Sequence, residues 1–95
     1  MEIMTTVQLA DLCKSVIGKE SSYALAKCLD MSPEAVRCWY KRGTVMDDEV
    51  GLDIADLTGL DPELVILWLQ IERSEKRGSD KMSQHWRHIA QQIAA

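Results

Sequence analysis

The chain reads as all-α, and three observations carry that reading. No segment alternates apolar and polar residues long enough to be a strand. Apolar residues instead recur at the spacing of one helical face. The stretches so patterned are divided by Gly, or by Ser-Pro and Asp-Pro pairs, which are residues that stop and start helices.

The first helix carries Val7, Leu9, Ala10, Leu12, Cys13, Val16 and Ile17, and Gly18 closes it as a left-handed cap. Ser21 or Ser22 caps the second, whose apolar positions are Ala24, Leu25, Cys28 and Leu29. Ser32-Pro33-Glu34 opens the third. Serine caps it, proline suits the first helical position, and glutamate suits the positive end of the dipole. This helix runs through Ala35, Val36 and Trp39 to Arg42 and ends at Gly43; residues 44–46 form a loop. Asp47, Asp48 and Glu49 open a fourth helix with Val50, Ile54, Ala55 and Leu57, ended by Gly59. Asp61-Pro62-Glu63 repeats the cap, proline and acid signature. Residues 64–69 then are apolar nearly all round, which predicts the most buried helix. Its polar continuation from Glu72 to Arg77 stops at Gly78-Ser79. Ser79 or Asp80 caps a sixth helix with a stripe at Met82, Trp86, Ile89 and Ile93.

Composition narrows the class. A chain of 95 residues with 46% hydrophobic and 27% charged residues holds one core. Phe is absent, so the core is built from aliphatic residues and three Trp. No run approaches the roughly 18 apolar residues of a membrane span, and the first residues lack a signal-peptide pattern, so a cytoplasmic protein without a membrane partner is expected. Cys13, Cys28 and Cys38 are odd in number and lack a C-x-x-C pair, so reduced thiols are expected rather than a disulfide framework or a zinc site. His85 and His88 lie three apart with no completing ligand, which points to surface histidines and no metal. No nucleophile has a base at a recognisable catalytic spacing, so neither enzyme activity nor a cofactor is expected.

Charge is segregated along the chain. Residues 1–43 carry a net charge of +1, residues 44–72 a net of −8 with no basic side chain, and residues 73–95 a net of +3.

The informative stretch is 22–42. Two short helices meet over a three-to-four-residue turn. Leu25, Ala26 and Leu29 would face inward from the first, Met31 would plug the turn, and Val36 and Trp39 would face inward from the second. The outer face of the second helix is left free. A helix just fits a DNA major groove, which is about 12 Å wide.

This pattern resembles the helix-turn-helix of lambda-repressor-like (Cro/C1-type) regulators, in Leu25-Ala26, Val36, Trp39 and the following Gly43. Val50 to Leu67, with Ile54-Ala55, Gly59-Leu60 and Asp61-Pro62, resembles the fourth and fifth helices of that fold. The likeness covers residues 6–72. It implies a five-helix helix-turn-helix domain (1–78) and an extra C-terminal helix (79–95) for packing or dimerisation. It implies a DNA-binding transcription regulator, a repressor or control protein of a phage or prophage, with double-stranded DNA as partner. By position, Pro33, Glu34, Arg37 and Cys38 would reach base edges. Ser22, Lys27, Lys41 and Arg42 would lie near phosphates, Ser32 belongs to the same DNA-binding set, and Arg37 is the best candidate to read guanine.

Three positions depart from the family pattern: Asp30 stands where Gly is usual, Pro33 offers no hydrogen bond, and Glu34 puts a negative charge near the duplex. Regulators of this type bind as dimers, so Met82, Trp86, Ile89 and Ile93 are expected to join two copies. The alternative is a protein partner: an antirepressor or inhibitor that reuses the fold, gripping through acidic residues 47–63 or the Trp86 stripe.

Overall fold

The computed structural model describes residues 2–94. Among them are six helices and no strand: α1 (Thr6–Ile17), α2 (Ser22–Cys28), α3 (Pro33–Lys41), α4 (Asp48–Thr58), α5 (Pro62–Lys76) and α6 (Asp80–Ala94). None is long and apolar enough to cross a membrane.

Local chemistry sets the helix ends. Thr5 and Gln8 form a reciprocal capping box at the start of α1, and Gly18 ends that helix at φ 72°. Ser21, rather than Ser22, caps α2 by accepting from the Ala24 N–H. Ser32 caps α3 and Asp61 caps α5, each ahead of its proline. The α2–α3 turn is closed by Asp30 at φ 54°, a conformation that aspartate tolerates better than most residues. Asp30 donates to the Lys27 carbonyl and Met31 to the Ala26 carbonyl, the bond pattern of a left-handed helix stop.

Packing follows a chain of contacts. α2 and α3 pack on each other and both touch α1; α1 packs on α4, α4 on α5, and α5 on α6. Leu9, Leu25, Val36, Ile54, Val65 and Leu69 are fully buried at the centre. Gly51 permits the α4–α5 approach, because a Cβ there would stand 2.7 Å from Leu69 Cδ1. The expected inward face of α1 is narrower than its apolar set. Val16 is 51% exposed, since the buried face of the helix is Thr6, Leu9, Ala10 and Cys13.

A polar knot ties three segments together. Glu72 on α5 accepts from the backbone N–H of Thr6 at 2.8 Å and from its hydroxyl at 2.7 Å. The Thr6 oxygen accepts in turn from the Met46 N–H at 3.2 Å. The carboxylate thus sits at the positive end of α1 and anchors the loop after α3. Arg73 holds the same loop, donating to the Met46 carbonyl at 2.6 Å and to Asp48 at 2.7 Å.

α6 folds back on α5. Its buried residues are Ser83 and Ala90, and Ser74 on α5 is buried as well. These small side chains let the two helices approach. Arg87 on α6 pairs with Glu75 on α5 beside them. The predicted stripe lies at the edge of this contact: Met82, Trp86 and Ile89 are half-buried, and Ile93 is 37% exposed.

Candidate nucleic-acid interface

α3 has two opposed faces. Val36 and Trp39 point into the core, and Trp39 is 4% exposed. On the other side, Glu34, Arg37, Cys38 and Lys41 recur at intervals of three, one and three, which is one helical face. Glu34, Arg37 and Lys41 are exposed and Cys38 is half-buried. Pro33 is the first residue of the helix, and Arg42 caps its far end, exposed. The Ser32 hydroxyl accepts from the Ala35 N–H, so it serves the helix start. Ser22 is half-buried in the first turn of α2. Lys27 is exposed in the last turn of α2, with its ammonium 5.7 Å from the Tyr23 ring centroid.

Glu34 and Arg37 form an ion pair of 3.3 Å, with side chains 75% and 49% exposed. An exposed pair one turn apart contributes roughly 0.2–1 kcal/mol. A bidentate arginine–guanine contact contributes about 1–3 kcal/mol, so Arg37 can leave Glu34 for a base.

The basic end of this face is larger than the sequence pattern indicates. A Cβ on Gly43 would lie 3.0 Å from Lys76 Nζ. The end of α5 therefore brings Lys76 beside the end of α3, next to Lys41 and Arg42. Only the positive net charge of residues 73–95 hinted at this, and a charge total carries no address.

Tyr40 fastens α3 to α1. Its hydroxyl donates to Asp11 at 2.8 Å, and the Lys14 ammonium stands 4.2 Å from its ring centroid. Burial, then the hydrogen bond to Asp11, then the negative charges of Asp11 and Glu20 push the phenol above its ordinary range. A raised folded value stabilises the protein below the unfolded pKa of about 10 and loses that effect as pH rises beyond it. Tyr40→Phe is expected to cost about 0.5–1.5 kcal/mol at neutral pH. In urea melts at a series of alkaline pH values, the gap between the two proteins should close above pH ~10. A gap that widens there would contradict the assignment.

Among the described residues, no three His, Cys, Asp or Glu side chains are grouped to hold a metal ion. Cys13, Cys28 and Cys38 are free thiols, and burial raises the pKa of Cys13. No family model matches the chain, and no curated protein or solved structure does either.

Proposed function

We propose that this chain is a sequence-specific DNA-binding regulator of the lambda-repressor-like helix-turn-helix type, which lays α3 in the major groove. One observation carries the reading: a short helix, buried along Val36 and Trp39, turns outward a face bearing Arg37 and Lys41, with Arg42 and Lys76 at its end. Arg37 reads a base. Lys27, Lys41, Arg42 and Lys76 meet phosphates, and Glu34 parks Arg37 until DNA arrives. The acidic residues of the middle segment lie mainly on α4 and the start of α5, and α1 packs between α4 and the α2–α3 pair. Most of the negative charge is therefore carried by helices other than the α2–α3 pair. A repressor or control protein of a phage or prophage is the role that the resemblance implies.

The test is a salt titration of binding to mixed DNA fragments. Affinity should fall steeply with salt, and each lysine removed from the phosphate set should lower the slope by about 1. On a site selected from random sequence, Arg37→Ala should cost about 1–3 kcal/mol, with little effect on random DNA. Absence of binding at low salt would end this reading. Two copies on half-sites about 34 Å apart would raise a modest affinity. Light scattering at tens of micromolar, roughly the scale of weak association, reads whether they join before binding.

A further inference from the structure

A second face of the molecule is apolar and unpartnered. Between α4, α5 and α6 lies an open groove of about 460 Å³. Leu52, Pro62, Ile66, Leu67, Ile89 and Ile93 line it. Leu52 is 47% exposed and Ile93 37%. Glu63 is the single charged residue of the lining. A neighbouring hollow shares Leu52 and Pro62 and adds Asp56 to its wall.

The surroundings are acidic in one direction only. Residues 44–72 hold eight carboxylates and no basic side chain. Asp48 is taken by Arg73, and Glu72 by Thr6. Among the described residues, none of Glu49, Asp53, Asp56, Asp61 and Glu63 has an ion-pair partner. An apolar floor beside carboxylates without ion-pair partners is complementary to an apolar stripe flanked by cations.

We propose that this groove receives an amphipathic helix of a partner protein, with an apolar stripe on Leu52, Ile66 and Ile93 and Lys or Arg along the side facing α4. A helix offers side chains at i, i+3, i+4 and i+7, the spacing that a groove between helices accepts. DNA is refused by the same carboxylates. A second copy in two-fold register would bring Asp56 and Glu63 of both chains to one seam, and like charges there oppose it. The proposal is independent of the DNA reading, because the α2–α3 pair and this groove lie at opposite ends of the chain of helix contacts.

The probes are labelled helical peptides of about 18 residues, long enough to hold a helix. All share one leucine stripe and differ only in flanks of Lys, Gln or Glu. Fluorescence anisotropy with the full chain should rank them Lys, Gln, Glu, with at least about tenfold between the first and the last. Leu52→Asn should weaken the Lys peptide by about tenfold or more, while circular dichroism shows the fold retained. Asp56→Lys combined with Glu63→Lys should narrow the spread between the Lys and Glu peptides by about tenfold. Failure of the Lys peptide to bind, a spread indifferent to the double substitution, or binding that survives Leu52→Asn would overturn the proposal. So would sedimentation showing a dimer that Leu52→Asn dissociates, since the occupant would then be a second copy.

Discussion

Trp39→Ala is expected to lower the stability of the fold by about 3–5 kcal/mol, the range for deleting a large buried aromatic side chain. Trp39 is 4% exposed and stands on the inner face of α3, beside Val36 and against the rest of the α1–α3 core. Nothing small can fill the volume, because Leu9, Leu25 and Val36 are themselves fully buried and have no free space to move from. A domain of this size has a total stability near the lower end of about 5–15 kcal/mol. Much of the population should therefore unfold, and the outward face of α3 should be lost with it. Urea unfolding followed by circular dichroism measures the loss. A cost below about 1 kcal/mol would mean that Trp39 is not the inner anchor of α3.

Glu72→Ala should be the next most damaging change, at about 3 kcal/mol. Two charge-assisted hydrogen bonds disappear, each contributing roughly 1.5–3 kcal/mol on its own but not additively. The Thr6 N–H loses its acceptor at a residue that is 1% exposed. Glu72→Gln keeps an acceptor oxygen but removes the charge at the α1 N-terminus, so it should cost about 1 kcal/mol. The order Ala, then Gln, then the parent in urea melts checks this. Hydrogen exchange gives a local readout. The Met46 N–H, which donates to Thr6 Oγ1, should lose protection in the alanine variant. Equal melts for the two variants would show that packing, not the carboxylate, holds the knot.

The legibility of this fold varies with the range of the interaction. Ser32-Pro33 and Asp61-Pro62 announced two helix starts, and Gly18 and Gly59 two helix ends, because caps are made by residues within a turn of one another. The inner positions of the α2–α3 corner were also readable, since spacing on two short helices decides which side chains can face one way. Asp30 was located at the turn through the family pattern, which has Gly there, and it takes the left-handed conformation that this position implies.

The outer surface of α3 was only partly readable. Arg37 and Lys41 could be located on it, but the Arg37–Glu34 pair is a choice of side-chain orientation that spacing permits without requiring. The stripe on α6 was found, yet its use was not. Hydrophobic spacing favoured Met82, Trp86, Ile89 and Ile93, whereas close approach to α5 buried the small residues Ser83 and Ala90 instead. A hydropathy pattern ranks side chains by transfer energy and takes no account of how near two backbones come.

The sequence by itself determined six helices, the starts of α3 and α5, the Gly ends of α1 and α4, and the inward residues of the corner, because each depends on neighbours within about one or two turns. Tertiary structure alone decided that Lys76 stands beside Gly43, that Glu72 caps α1, and that Leu52, Ile66 and Ile93 line one groove. Those meetings join residues far apart in the chain, and their partners are selected by how whole helices pack rather than by any local pattern.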